Sequence, residues 1–164
     1  MTHKTDLRIE AVDLQDPAHR SALVALLDHY ARDPMGGGTP LTEQVRAVLA
    51  ERLRTQPGYV AFLAFRKHEA VGLINCFLGF STFAARPLLN VHDVAVLAGH
   101  RGQGIGRALL QAAERAARER DCCKLTLEVL SNNRAAIAAY ERAGFQPYEL
   151  DPAAGQAVFM HRLL

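Results

Sequence analysis

The stretch Val94-Ala95-Val96-Leu97-Ala98-Gly99-His100-Arg101-Gly102-Gln103-Gly104-Ile105-Gly106-Arg107 decides how this chain folds. Its first four residues are apolar, with valine at alternate positions, which predicts the end of a strand. The glycines at 99, 102, 104 and 106 then break regular structure, and the Ala/Leu/Arg/Glu-rich run from Gly102 to Arg120 predicts a helix with Ile105, Leu109, Ala112, Ala113 and Ala116 on one side. Glycines in such a turn let a ligand approach the backbone, and the first N–H groups of the helix offer donors and a positive dipole to a phosphate. Arg101 and Arg107 add formal charge. A bare strand-to-helix turn needs only one or two glycines, so the cluster predicts an anionic ligand. A dinucleotide fingerprint G-x-G-x-x-G fits poorly, because Gly102 and Gly104 are followed by Arg107 at the last position. No G-x-x-x-x-G-K-[ST] loop occurs in the chain.

Outward from this turn, Leu88 to Leu97 reads as a strand, preceded by two others at Tyr59 to Phe65 and Val71 to Phe80 that flank a polar turn and predict an antiparallel hairpin. Leu7, Ile9 and Val12 predict a first strand. Asp16-Pro17 opens a helix through Leu23, Leu26, Leu27 and Tyr30, with Asp16 as its N-cap. The segment Asp33-Pro34-Met35-Gly36-Gly37-Gly38-Thr39-Pro40 breaks the helix and reads as a loop, a candidate acceptor-binding segment or equally a glycine linker. Thr42 starts a second helix that runs from Glu43 to Arg54. Downstream, Lys124 to Leu130 predicts a strand and Asn133 to Ala143 a helix stopped by Gly144. Pro147 to Leu150 and Ala157 to Leu163 predict a closing strand pair. This order predicts an α+β, or mixed α/β, architecture in a single domain spanning residues 1–164.

Composition excludes several classes. The 164 residues carry 49% hydrophobic and 22% charged residues, enough apolar matter for one core. The longest apolar run, Tyr59 to Phe65, is far short of the roughly 18 residues a membrane span needs. The N-terminal MTHKTDLRIE has no apolar h-region, so no secretory leader is expected and a cytoplasmic location is. Three cysteines, two of them adjacent (Cys122, Cys123), make a poor disulfide framework and read with Cys76 as reduced, buried thiols. No His, Cys or carboxylate spacing suggests a metal site. The net charge is only +2, but residues 101–124 hold six basic against three acidic side chains. That local excess, with no tryptophan and no basic stripe carrying aromatics, predicts a small anionic ligand and not a nucleic acid.

The run Arg101-Gly102-Gln103-Gly104-Ile105-Gly106 resembles the R/Q-x-x-G-x-G/A acyl-CoA pyrophosphate loop of the GNAT N-acetyltransferase superfamily. Leu127-Glu128-Val129 followed by Asn133, Ala136, Ile137, Tyr140, Glu141, Gly144 and Phe145 is similar to the second half of that family's signature. The resemblance implies a twisted, mostly antiparallel sheet of about seven strands, splayed between the strands at 91–97 and 124–130 and flanked by about four helices. It implies acetyl-CoA as cosubstrate, its amide arm paired with the backbone around Val94, Ala95 and Val96. The turn formed by Arg101, Gly102, Gln103, Gly104, Ile105, Gly106 and Arg107 would hold the pyrophosphate, and Asn133 would bond the arm.

The same resemblance makes Tyr140 the acid for the departing thiolate, although by spacing alone its ring packs as well with Ile137 and Phe145. Glu128 and Asp93 are candidate bases, each of which reads equally as a structural carboxylate. Tyr30, Asp33 and Met35 are candidate acceptor contacts. No cysteine sits in a context that would lower its pKa, so transfer is expected to be direct. The implied acceptor is a primary amine, a small molecule favoured over a protein N-terminus or lysine, because Leu130 replaces a basic residue common in the N-terminal branch. A catalytically silent acyl-CoA sensor is the alternative. A homodimer paired through C-terminal strands is a further expectation.

Overall fold

The computed structural model describes residues 6–164, so Met1 to Thr5, half of the segment read for a leader, lie outside the described residues. The chain divides into two compact units, the first ending at Leu127 and the second running from Glu128 to Leu164.

In the first unit, β1 (Leu7–Ala11), β2 (Tyr59–Arg66), β3 (Glu69–Ser81), β4 (Arg86–Val96) and β5 (Leu125–Leu127) form one sheet in sequence order. Neighbours are antiparallel except β4 and β5, which run parallel. The parallel pair is joined through α3 (Ile105–Glu119), since parallel strands need a crossover. Helix α1 (Pro17–Arg32) begins at Asp16, whose carboxylate accepts the Ala18 N–H at 2.8 Å, and α2 (Glu43–Arg54) begins at Thr42, whose hydroxyl accepts the Val45 N–H at 3.2 Å. Each cap is worth about 1 kcal/mol.

The sheet is covered on both faces. Leu23 and Leu26 of α1 pack with Leu14, Leu63, Leu73 and Ala95. Because side chains alternate along a strand, Gly72 faces the opposite way from Leu73, and there it meets α3. A Cβ on Gly72 would stand 3.0 Å from Ile105 Cγ2 and 3.1 Å from Leu109 Cδ1, so the missing side chain lets α3 seat on β3. Gly72→Val is therefore expected to overpack this contact and cost about 1–3 kcal/mol. Thermal unfolding checks this, and a parent-like melting temperature would mean that α3 does not depend on the small residue.

The register of β4 changes within the strand. Asn75 pairs with Asp93 and Cys76 with Val91, so His92 is an extra residue, a β-bulge. On the other edge of β4 the ladder with β5 covers Leu89, Asn90 and Val91 and stops at Leu127. Past that point no strand among the described residues pairs with the edge from His92 to Val96. Two expectations are corrected here. The predicted strand 124–130 shortens to Leu125–Leu127, because β4 bulges away at His92, and Glu128 follows the strand instead of lying in it. The helix expected from Gly102 starts at Ile105, because Gly104 takes a left-handed conformation that a helix cannot contain.

In the second unit α4 (Arg134–Arg142) is capped by Asn133 and closed by Gly144 at φ 93°. Phe145 N–H reaches Tyr140 O at 3.0 Å and Gly144 N–H reaches Glu141 O at 3.0 Å, the paired bonds of a Schellman motif. The strands expected at 147–150 and 157–163 are not formed, so the sheet has five strands and not seven. Leu150, Phe159 and Leu163 are 75%, 75% and 87% exposed. Segments that bury no face and gain no ladder partner have nothing to offset the entropy of extension. The four helices and the α+β class agree with expectation.

Candidate active site

The glycine turn leaves the sheet at Leu97, whose N–H reaches Val71 O at 2.9 Å, and passes through a 3₁₀ turn at Ala98–His100. Gly102 (φ 74°) and Gly104 (φ 82°) are left-handed, and Gly104 is the residue that caps α3. No side chain caps this helix, and its first internal bond is Ala108 N–H to Gly104 O at 3.0 Å. The N–H groups of Ile105, Gly106 and Arg107 therefore have no carbonyl within the helix and point out of its end. A Cβ at Gly102, Gly104 or Gly106 would meet no atom within 4 Å, so the space in front of these donors is open. Arg107 is exposed and makes no ion pair among the described residues. An anionic diphosphate fits this end, where donors, dipole and cation coincide.

Two side chains brace the turn. Gln103 accepts from Arg66 Nη2 at 3.2 Å and donates to Gly99 O at 3.2 Å. Arg101 donates through Nε to Val96 O at 3.1 Å and through Nη2 to Asp33 Oδ2 at 3.0 Å. Asp33 in turn accepts the Met35 N–H at 2.9 Å and so caps the 3₁₀ turn Pro34–Gly36. Part of the segment read as an irregular loop is thus a short ordered turn, tied to the glycine turn by one ion pair. The Met35 N–H, and after it the Arg101 guanidinium, hold the Asp33 carboxyl below the usual carboxylate range. Because the folded value is the lower one, the tie contributes at neutral pH and is lost as pH falls through that depressed value. Both Asp33 oxygens are thereby committed to shaping the turn, while Met35 beside it is 38% exposed.

On the sheet face covered by α1, four polar side chains converge. Tyr59 donates its hydroxyl to Asn75 Oδ1 at 2.8 Å, and Asn75 donates from Nδ2 to Asp93 Oδ2 at 3.0 Å. Asn75 is 2% exposed, a buried polar residue satisfied at both ends. Burial first, and the Asp93 charge after it, push the hydroxyls of Tyr30 and Tyr59 above the ordinary phenol range, so both stay protonated. Cys76 is pushed up to about 12, mainly by burial, and is no nucleophile at neutral pH. Cys122 is raised as well, and all three cysteines are free thiols. Sequence reasoning named Asp93 and Tyr30 as candidates and did not name Asn75 or Tyr59. The available signal was a lone asparagine inside the apolar run from Val71 to Phe80.

Glu128, Asn133 and Tyr140 belong to the second unit. Glu128 is exposed. Asn133 uses Oδ1 to accept the Ala136 N–H at 3.2 Å, a capping role the sequence reading did not assign. The Tyr140 ring meets Phe145 edge-on at 5.9 Å, the apolar contact that accompanies the helix end.

Residues 23–145 match the acetyltransferase (GNAT) family. The chain belongs to that family. It is 43% identical over 91 residues to streptothricin acetyltransferase of Streptomyces lavendulae, covering 54% of this chain and 48% of that protein. It thus spans about half the length of that relative. Aminoalkylphosphonate N-acetyltransferase of Salmonella typhimurium is 30% identical over 121 residues, 64% of this chain and 79% of that one. Among solved structures, an aminoglycoside acetyltransferase from an uncultured soil metagenomic sample, in complex with sisomicin, superposes with a TM-score of 0.80 over 99% of both chains at 18% identity, a likeness of fold. The GNAT family match includes the glycine turn, Asp93, Asn133 and Tyr140, and it extends over both units.

Proposed function

We propose that this chain moves the acetyl group of acetyl-CoA directly onto a primary amine, with small-molecule amines favoured over protein N-termini and lysines. The observation that carries the reading is the uncapped end of α3, with open left-handed glycines in front of it and the unpaired edge of β4 leading to it. Acetyl-CoA supplies the acyl group as a thioester. The N–H groups of Ile105, Gly106 and Arg107 take the pyrophosphate, Arg107 adds charge, and the edge at Val94, Ala95 and Val96 accepts an amide arm as it would an added strand. Asn133 keeps its amide N–H groups for that arm while its oxygen caps α4. Asp93 or Glu128 takes the proton that the amine loses as its C–N bond forms, and Tyr140 protonates the sulfur as the C–S bond breaks. Tyr30 from α1 and Met35 contact the acceptor, with Asp33 holding the turn that carries Met35. Small amines are favoured because relatives named for streptothricin and aminoalkylphosphonate acetylation match.

A CoA-release assay over a panel of amines, run beside thermal melts with acetyl-CoA and NAD(P), tests the reading. Turnover of at least one amine is expected, with stabilisation by acetyl-CoA and none by NAD(P). Stabilisation by acetyl-CoA with no amine turned over would replace the transferase by a silent acyl-CoA sensor.

A further inference from the structure

The Tyr59–Asn75–Asp93 chain has a direction, and the direction follows from what each group can donate. Tyr59 remains a phenol, so its O–H donates to Asn75 Oδ1. The amide NH₂ faces Asp93, where it meets Oδ2 at 3.0 Å. The flipped amide would set its oxygen against the carboxylate oxygen, a repulsive contact at a 2%-exposed position, whereas the Tyr59 hydroxyl could turn to accept from the NH₂, so it is the acceptor-only carboxylate that fixes the direction. No other hydrogen bond or ion pair to the Asp93 carboxylate occurs among the described residues. One oxygen is thus held and the second is left without a protein partner, on the face where Tyr30 stands and next to the unpaired edge of β4.

We propose that Asn75 and Tyr59 are positioning residues that fix the orientation of the Asp93 side chain and present its second oxygen to the acceptor amine. This rests on the transferase reading above. Asn75 supplies the hydrogen bond that holds one carboxylate oxygen, and Tyr59 supplies the orientation of Asn75. The titratable groups that face Asp93 are Tyr30 from α1 and Tyr59 from β2, with Cys76 of β3 on the opposite face of the sheet, all three neutral at pH 7, and His92 beside it on β4 turned edge-on to Phe77 at 5.4 Å.

The test follows the Asp93 side-chain carboxyl carbon by NMR at pH 7 in the parent, in Asn75→Leu and in Tyr59→Phe. Asp93→Asn assigns the signal. Tyr59→Phe is the safer variant, since it keeps the ring that packs on Phe77 at 5.5 Å and removes only the hydroxyl. Losing the hydrogen bond that holds one oxygen is expected to move the Asp93 carboxyl signal in Asn75→Leu, and to move it by less in Tyr59→Phe. On an amine that turns over, kcat/KM at neutral pH should fall in the same order, while the acetyl-CoA-induced rise in melting temperature is kept. An Asp93 carboxyl signal unchanged in both variants overturns the proposal, whatever happens to activity. If the signal moves but the parent turns over no amine, the transferase reading fails and the hold on Asp93 stands.

Discussion

Gly104→Val is expected to abolish the rise in melting temperature that acetyl-CoA is expected to give the parent. The residue sits at φ 82° immediately before α3, a conformation that costs an L-residue roughly 1–2 kcal/mol and a β-branched one more. Nothing in the protein lies within 4 Å of a Cβ built there, so the side chain would occupy the space in front of the helix N–H groups, where the pyrophosphate is proposed to sit. Two effects then add, a mis-set turn and a blocked approach. At a ligand concentration 100 times Kd the parent gains about 2.7 kcal/mol from mass action, which for a chain of this size is a shift on the order of 5–10 °C. The variant without ligand should melt a few degrees lower, and its melt should not respond to acetyl-CoA. A parent-like response would move the binding site away from this turn.

Asp93→Asn is expected to lower kcat/KM for an amine by on the order of 10²–10⁴ at neutral pH, the span associated with losing a positioned acid or base. The substitution keeps the size of the side chain and an oxygen for Asn75 to donate to, so the hydrogen-bonded chain survives and the melting temperature should change little. The amine arrives mostly protonated at pH 7, so the parent's rate should rise with pH, and the variant should recover part of its loss at high pH where neutral amine is abundant. Glu128→Gln is the matched comparison, made at an exposed position. Steady-state kinetics across pH decide between the two carboxylates, and parent-like profiles in both would exclude either as the base.

Much of the fold was legible because the strongest patterns are local. Asp16 and Thr42 cap the helices the sequence assigned to them, and the face of α3 named from its period is buried at Ile105, Leu109, Ala112, Ala113 and Ala116. The glycine turn was legible for the same reason. What was not legible depends on partners distant in sequence. Residues 147–150 and 157–163 have the composition of strands, yet strand formation needs an edge to pair with, and no composition supplies one. Tyr59 and Asn75 are sixteen residues apart and Asn75 and Asp93 eighteen, and only the register of three neighbouring strands brings them together. Asn133 was assigned to the ligand by resemblance, while its place immediately before a helix was sufficient reason for half of its hydrogen bonding.

The extra residue at His92 has a consequence for how such a site can change. Alternation along a strand is a two-beat rhythm, and one added beat reverses every residue on one side of it relative to the other. Val91 and Val94, three apart, thus share the α3 face, while Asp93 is delivered to the face of Asn75. The placement of the carboxylate is therefore written in the count of residues and not in their identity. Substitutions at His92 would leave Asp93 aimed as it is, whereas deleting that one residue would turn either Asp93 or the first half of β4 to the wrong face. Scans by point substitution are blind to this kind of dependence, and a single-codon deletion exposes it.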